Sequence, residues 1–229
     1  MTSDLTTPVC TALVVAGGAS RRMGLDKLTW PLAGVPVLRR TLTAMLAADS
    51  IAAVVVVCSQ DRWDMLEWSG SDKPVTRVDG GATRQDSVAC GLAALGSNTT
   101  WVAVHDGARP LIAPTDVDRC VAAAIQHGAA SLARRVSETM HRADDEDFNL
   151  ELVSRDNLWS METPQVFACD RLRQAYAMVA SRALVVTDEV SAVHACGMRV
   201  KFVAAHHPNL KITTPADLAL AAALLDLTA

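Results

Sequence analysis

The segment 11-TALVVAGGASRRMGLDKL-28 begins with small apolar residues and then changes to paired glycines and three cations. The run 11-TALVVA-16 predicts a first β-strand, and the glycines predict a loop at its carboxyl end, where ligands bind in open α/β sheets. Glycine lets backbone amides approach a ligand closely, and Arg21, Arg22 and Lys27 suit phosphate oxygens. The segment therefore predicts a phosphate-rich ligand. The alternative is a tight turn with a solvated arginine pair.

Two common glycine motifs are absent from this loop. It contains no G-x-x-x-x-G-K-[ST] pattern, and Gly17, Gly18 and Gly24 do not form G-x-G-x-x-G. Each motif holds phosphate through a fixed spacing of glycines. The loop therefore argues against a common P-loop and against a dinucleotide fold of the hydride-transfer kind.

Short β-branched runs recur along the chain and alternate with helical patterns. Near-continuous runs of Val and Ala indicate strands covered on both faces, hence a mostly parallel sheet. Helix starts are predicted at Pro114 and at Pro215, where Thr214 and Asp217 can form a capping box. We expect one domain over residues 1–229, an α/β fold with a Rossmann-like, mostly parallel sheet and helices on both faces. The other predicted strands are 52-AAVVVVC-58, 75-VTRV-78, 101-WVAVH-105 and 200-VKFVA-204.

The segment 136–156 breaks this pattern. Polar and acidic residues displace the apolar periodicity, and 144-DDED-147 suits an exposed turn. The flanking halves, 136-VSETMHRA-143 and 148-FNLELVSR-155, predict a protruding β-hairpin arm, with a mobile surface loop as the alternative. Because an isolated hairpin is marginally stable, we expect this arm to pack on a second copy of the chain.

Composition limits the classes of partner. A net charge of −4 and a pI near 5.8 argue against a nucleic-acid surface and favour a small anionic ligand. The apolar runs are too short to span a bilayer, and the N-terminus has no leader pattern, so we expect a cytoplasmic protein without membrane contact. The six cysteines lack a C-x-x-C spacing, which predicts reduced and mostly buried thiols.

Three further stretches carry candidate chemistry. In 79-DGGATRQDSVACGL-92 a glycine pair precedes a helix, so backbone amides and Ser87 can meet a polar ligand edge, or Asp86 or Ser87 can simply cap the helix. Asp106 follows a predicted strand and can hold Mg²⁺ or another divalent cation together with substrate phosphates, or can be a turn residue. Lys211 precedes the last helix, where it is a phosphate ligand or a solvated lysine.

An ordered set of motifs gives the chain a family resemblance. The set is VDGG…R.DSV, VHDGARP, ETM, TPQ.F, TDE.SA and N.KIT.P.DL. With these motifs the chain, from about Leu13 to Leu220, resembles the 2-C-methyl-D-erythritol 4-phosphate cytidylyltransferases of the non-mevalonate isoprenoid pathway. The glycine loop reads 15-VAGG-18 where that family usually has P-A-A-G, and this variant is similar to the molybdenum-cofactor nucleotidyltransferases.

The resemblance implies roles for individual residues. CTP would lie on the two glycine turns, at Ala16, Gly17, Gly18, Ser20, Gly81, Ala82 and Ser87. Arg22 and Lys27 would stabilise charge as the α-phosphate is attacked, and Asp106 would hold Mg²⁺ close to Arg109. The sugar phosphate would be oriented by Arg155 and Lys211 and bound with the help of Thr139 and Thr163. In similar enzymes the segment 136–156 is a dimerisation arm that brings its Thr and Arg to the neighbour's site.

The implied reaction needs no protein nucleophile. A phosphate oxygen of the acceptor, a polyol phosphate, would attack the α-phosphorus of CTP in line and expel pyrophosphate, and the protein would position and neutralise the two anions. Alternatives within the same chemistry are a ribitol 5-phosphate cytidylyltransferase and a molybdenum-cofactor-type nucleotidyltransferase. The alternative from another class is a nucleotide-binding regulatory protein without catalysis.

Overall fold

A central sheet organises the structure, a computed structural model that describes residues 10–18 and 26–227. The strands are β1 Cys10–Val15, β2 Pro31–Leu32, β3 Val35–Pro36, β4 Ile51–Val57, β5 Val75–Val78, β6 Trp101–Asp106, β7 Ala129–Arg135, β8 Met140–Ala143, β9 Asn149–Val153, β10 Trp159–Ala168 and β11 Lys201–Ala204. The helices are α1 Val37–Ala47, α2 Gln60–Met65, α3 Arg84–Ala94, α4 Pro114–His127, α5 Cys169–Ser181, α6 Glu189–Ala195 and α7 Pro215–Asp226.

Seven of the described strands form one mostly parallel sheet in the order β11-β7-β10-β6-β1-β4-β5. The pairs β1–β4, β1–β6, β4–β5 and β7–β11 are parallel, whereas β10 runs antiparallel to both of its neighbours. The chain leaves β1 toward β4 and β5 on one side and then returns to β6 on the other. This reversal is the topological switch point at which α/β sheets bind ligands.

Helices cover both faces of the sheet, as the apolar strand runs predict. Along β1, Ala12 and Val14 face a core that includes Leu38 and Leu42 of α1, while Leu13 faces a second core. The second core contains residues of α3, α5 and α6. Because strand side chains alternate between faces, a strand with both faces buried must be apolar at nearly every position.

The predicted strands and helices are confirmed, and four described strands, β2, β3, β7 and β10, were not predicted. Every predicted strand lies within one residue of an observed one, and α4 and α7 begin at Pro114 and Pro215. The Asp217 carboxylate accepts the backbone N–H of Thr214 at 2.8 Å, which completes the predicted capping box. Strands β7 and β10 lack the usual sequence signals, since 129-AASLARR-135 has no β-branched residue and 159-WSMETPQVFA-168 contains a proline.

The predicted hairpin arm is present but shorter than expected. Strands β8 and β9 pair antiparallel, and Asp144 Oδ1 closes the turn by accepting the backbone N–H of Glu146 and Phe148. One side of the arm presents Phe148, Leu150 and Leu152, which are 67%, 59% and 66% exposed. A large apolar surface of this kind is typical of an interaction site.

The cysteine prediction is confirmed in its main part. All six thiols are free and four of them are buried, whereas Cys90 and Cys196 are exposed. None of the helices within residues 10–18 and 26–227 is long and apolar enough to cross a membrane.

Helix α3 packs so closely on β1 that Gly91 has no room for a side chain. A Cβ atom there would lie 2.2 Å from Leu13 Cδ1 and 2.9 Å from Val57 Cγ2, both in the buried core. We expect Gly91→Ala to lower the free energy of unfolding by about 1–2 kcal/mol, because overpacking outweighs the better helix propensity of alanine. Urea unfolding measures this change.

Gly96→Ala is the matched control, since a Cβ at Gly96 meets nothing within 4 Å. We expect this control to unfold within about 0.5 kcal/mol of the parent. A Gly91→Ala protein as stable as the Gly96→Ala protein would show that the core can shift to accept the methyl group.

Candidate functional site

A cleft of about 290 Å³ opens where β1 and β6 end. The parallel register places Val15 beside Asp106, so the glycine loop after β1 and the carboxylate at the end of β6 lie side by side. Nine residues that the sequence or the resemblance singled out line this cleft. They are Ala16, Gly17, Gly18, Lys27, Gly81, Ala82, Ser87, Asp106 and Lys211.

The second glycine turn forms one wall of the cleft and begins α3. Thr83 caps the helix by accepting the N–H of Asp86, and Asp86 in turn accepts the N–H of Thr83, each at 3.0 Å. Ser87 Oγ accepts the N–H of Gly81 at 3.2 Å and donates to the Thr83 carbonyl at 2.9 Å. A Cβ on Gly81 would stand 2.3 Å from that of Asp86, so only glycine fits this turn. The wall is thus built from backbone groups held by a capping box.

Asp106 is the electrostatic centre of the cleft. Lys211 Nζ lies 2.7 Å from its Oδ2 atom, and Arg84 Nε lies 3.3 Å from its Oδ1 atom. Arg109 Nε is 3.8 Å from Oδ2. Burial alone would favour the neutral acid, but these cations outweigh burial and hold the pKa of Asp106 well below its usual range. Asp106 is therefore an ionised carboxylate inside the protein.

Arg84 connects Asp106 to a second buried carboxylate. Its Nη1 and Nη2 atoms bind Glu189 at 2.7 and 3.0 Å, and Tyr176 donates its hydroxyl to the same carboxylate at 2.9 Å. Burial works against the charge on Arg84, yet Glu189 and Asp106 raise the pKa of its guanidinium. The bidentate pair fixes the orientation of Arg84 at the edge of the cleft.

The backbone of Asp106 is held from the neighbouring strand β10. Thr163 Oγ1 accepts the N–H of Asp106 at 3.1 Å and lies 2.9 Å from Nδ1 of His105. Burial lowers the pKa of His105 to about 4, so the ring is neutral and Nδ1 can accept the hydroxyl proton of Thr163. Thr163 is itself buried, and its hydroxyl serves to hold Asp106 in place.

A second groove of about 360 Å³ lies beside the first, and Lys211 lines both. Arg109 lines this groove and donates from Nη1 to the Asn209 carbonyl at 2.7 Å, while Asn209 Nδ2 donates to Glu162 at 3.0 Å. Within the described residues, Arg109 Nε and Asn209 Oδ1 are buried without a hydrogen-bond partner. Buried polar atoms usually have a hydrogen-bond partner, so a groove beside an unpaired donor and an unpaired acceptor suits a polar ligand.

Among the predicted site residues that the structure describes, Thr139, Arg155 and Thr163 line neither groove. Arg22 and Ser20 are outside the described residues. Thr139 and Arg155 lie at the base of the arm, both are exposed, and Arg155 donates to the Ser137 carbonyl at 2.6 Å. Neither of them lines the first or the second groove of its own chain.

Two residues of the site had no role in the sequence interpretation. Arg84 and Glu189 belong to the motifs R.DSV and TDE.SA, but they are 105 positions apart in the chain. The only sequence signal for this pair was that each motif places a charged residue at the start of a helix. Such charges usually interact with their own helix, so the signal did not indicate a contact between the two residues.

Comparison with known proteins gives one consistent result. The matching family model is described as IspD: 2-C-methyl-D-erythritol 4-phosphate cytidylyltransferase and spans residues 10–227. The chain is 40% identical over 221 residues to the 2-C-methyl-D-erythritol 4-phosphate cytidylyltransferase of Pelotomaculum thermopropionicum, with 93% of each chain covered. The match therefore extends over the segments that form both grooves.

Solved structures agree with the sequence comparison. The 4-diphosphocytidyl-2C-methyl-D-erythritol synthase of Anaerococcus prevotii superposes with a TM-score of 0.84 at 26% identity, covering 97% of this chain and 100% of that one. The 2-C-methyl-D-erythritol 4-phosphate cytidylyltransferase of Thermus thermophilus has a TM-score of 0.77 at 32% identity, with 94% and 98% covered. Fold and sequence thus point to the same family.

The Arg84–Glu189 pair should contribute to stability. We expect Glu189→Gln to lower the free energy of unfolding by about 2–3 kcal/mol, since the neutral amide removes the bidentate partner of Arg84 and leaves the longer contact with Asp106. This value is below that of a fully buried pair because the Arg84 side chain is 30% exposed. Urea unfolding measures the loss.

The control is Glu151→Gln in the arm, where the Arg142–Glu151 pair is 65% and 60% exposed. We expect this exposed pair to contribute less than about 1 kcal/mol. Equal losses in the two variants would contradict the special role of the buried pair.

Proposed function

The chain belongs to the 2-C-methyl-D-erythritol 4-phosphate cytidylyltransferase family, and we propose that its two adjacent grooves hold the two substrates of that reaction. The chain is a nucleotidyltransferase of isoprenoid precursor biosynthesis that transfers a cytidylyl group from CTP to 2-C-methyl-D-erythritol 4-phosphate. The products are 4-diphosphocytidyl-2-C-methyl-D-erythritol and pyrophosphate. The observation that carries the assignment of the grooves is Lys211, which lines both of them and contacts Asp106.

CTP would occupy the first groove. Gly17 and Gly18 are exposed there, and their lack of side chains lets phosphate oxygens approach the backbone. Lys27 lines the same groove and supplies a compact positive charge. The turn at Gly81, with Ala82 and the hydroxyl of Ser87, would face the base. Arg22 and Ser20 remain predicted ligands of the triphosphate.

A divalent cation such as Mg²⁺ fits Asp106. The described residues contain no cluster of three or more His, Cys, Asp or Glu side chains that could form a complete metal site. Mg²⁺ needs no such cluster, since it commonly takes one or two carboxylates and completes its octahedron with water and substrate phosphates. When bound, the cation would neutralise phosphate oxygens of CTP. Lys211 and Arg84 contact the Asp106 carboxylate and would have to shift to admit the cation.

The acceptor would lie in the second groove, with its phosphate next to the α-phosphate of CTP. Lys211 lines both grooves and can contact anions on either side, whereas Arg109 lines the second groove and can contact the acceptor. A phosphate oxygen of the acceptor attacks the α-phosphorus, the bond to the bridging oxygen breaks, and pyrophosphate leaves. The protein holds two mutually repelling anions in line and neutralises the charge on the leaving oxygen, which lowers the barrier. Thr163 contributes through Asp106, and direct binding of the acceptor by Thr163 stays a prediction.

The arm would complete the site of a second copy of the chain. Thr139 and Arg155 are exposed and lie outside both grooves of their own chain, which is where the residues of an exchanged arm should be. The exposed surface of Phe148, Leu150 and Leu152 would be covered in such a homodimer. The free state of all six thiols is compatible with the reducing cytoplasm that we propose as the compartment.

Pyrophosphate release tests the proposed function. With Mg²⁺ we expect release from CTP and 2-C-methyl-D-erythritol 4-phosphate, and much slower release when ATP or GTP replaces CTP. Release with D-ribitol 5-phosphate instead would change the acceptor and leave the chemistry intact. CTP binding without release for any acceptor would favour a regulatory protein.

Lys27→Ala is the matching variant. We expect turnover to fall by about 100- to 1000-fold, the usual loss for one group that stabilises developing charge in a transition state. Because Lys27 is on the surface of the cleft, the unfolding midpoint should change little. Near-normal turnover would remove Lys27 from the catalytic residues.

Mixing two inactive variants tests the exchanged arm. Lys27→Ala and Arg155→Ala should each be nearly inactive, but heterodimers formed from them should contain one site with both residues intact. After exchange of equal amounts we expect roughly a quarter of the parent activity, since half of the dimers are mixed and each has one good site. If Arg155 acted in its own chain, mixing would restore nothing.

A further inference from the structure

Arg62 of α2 is a buried arginine that no motif predicted. Only 9% of its surface is exposed. Its guanidinium donates to the Ala16 carbonyl through Nη1, to the Gly18 carbonyl through Nη2 at 3.3 Å and to Asp26 Oδ2 through Nε at 2.7 Å. One planar group therefore binds both ends of the segment that joins Gly18 to Asp26.

Asp26 transmits this contact to the turn that carries Lys27. Its Oδ1 atom accepts the N–H of Leu28 at 3.1 Å, and its carbonyl accepts the N–H and the hydroxyl of Thr29 at 3.1 and 3.0 Å. Lys27 lies inside this turn and lines the cleft. The turn that contains Lys27 is thus connected to Arg62 through the Asp26 carboxylate.

The contacts to carbonyl groups also orient the glycine backbone. In a trans peptide the C=O and the following N–H point in opposite directions. When Arg62 binds the Ala16 carbonyl, the N–H of Gly17 is turned away from α2. Gly17 lines the cleft, so an N–H turned away from α2 would be placed to donate to an anion there.

We propose that Arg62 is a positioning residue for the donor triphosphate, holding the Gly17–Gly18 backbone and Lys27 in the mutual arrangement that binds CTP. The inference rests on the proposed function. Burying an arginine brings a desolvation penalty that an ion pair often fails to recover, so such a pair is weak evidence for stability alone. The three partners of Arg62 are Ala16, Gly18 and Asp26. They belong to the segments that carry Gly17, Gly18 and Lys27, the residues proposed to bind the phosphates.

The test is the affinity for CTP, measured by calorimetry with Mg²⁺ and without acceptor, followed by steady-state kinetics. We expect Arg62→Gln to raise the Kd and the KM for CTP by about tenfold or more, because small displacements of ligating groups cost large factors. The KM for the acceptor should stay within about twofold, since the second groove has no contact with Arg62.

Four further variants, one of them a double variant, sharpen the test. Arg62→Lys should have an intermediate effect, because an ammonium cannot reach three partners with the geometry of a guanidinium. If Arg62→Gln does not fold, the same measurements on Arg62→Lys test the inference. Asp26→Asn should also weaken CTP binding, and combining it with Arg62→Gln should add little, as expected for one coupled pair. Arg173→Gln is the control, since Arg173 also binds two carbonyls, those of Leu92 and Leu95, at the far end of α3.

Two results would overturn the inference. One is a CTP Kd within twofold of the parent for both Arg62 variants. The other is that the Arg62 variants raise the KM for CTP and the KM for the acceptor equally, with a loss of stability no different from that of Arg173→Gln. That result would mean that Arg62 has only a structural role. A parent protein that does not bind CTP at all would overturn the proposed function, and this inference with it.

Discussion

The parallel pairing of β1 with β6 is the constraint on which the rest of the site depends. It sets Val15 beside Asp106, so that the glycine loop and the buried carboxylate emerge at the same edge of the sheet. A register shift of one residue would turn Asp106 to the opposite face, because side chains alternate along a strand. The two hydrophobic cores prevent such a shift, since β1 presents Leu13 to one core and Val14 to the other.

Because Asp106 is buried at this point, its negative charge must be compensated by positively charged side chains from the surrounding elements. An ionised carboxylate is stable inside a protein only when cations and donors compensate its lost hydration. Arg84 comes from the start of α3, and Lys211 from the segment before α7. Arg84 is balanced in turn by Glu189 of α6. The cations that neutralise Asp106 therefore lie together at the carboxyl ends of β1 and β6.

The supporting contacts show how rigid elements hold groups that must lie close together. Thr163 of β10 binds the backbone of Asp106, and the capping box of Thr83 and Asp86 fixes the second glycine turn. Arg62 has the corresponding position beneath the first glycine loop. In each case a side chain from one element binds backbone groups of another. This arrangement leaves the surface of the cleft to backbone amides and to a few cations, which are groups that bind anions.

The sequence alone determined the α/β class, most strands, the helix starts at Pro114 and Pro215 and the hairpin arm, because each has a local signal such as an apolar run, a turn or a cap. The nine residues of the cleft followed from the glycine pairs and charged positions together with the family resemblance. The sequence did not reveal β7 and β10, whose residues have weak strand propensity and are held in the sheet by their neighbours. Nor did it reveal the partners of Arg84 and Arg62, which are 105 and up to 46 residues away. Only the tertiary structure decided these pairings, since contacts between distant residues depend on strand order and packing, and neither leaves a periodic trace in the chain.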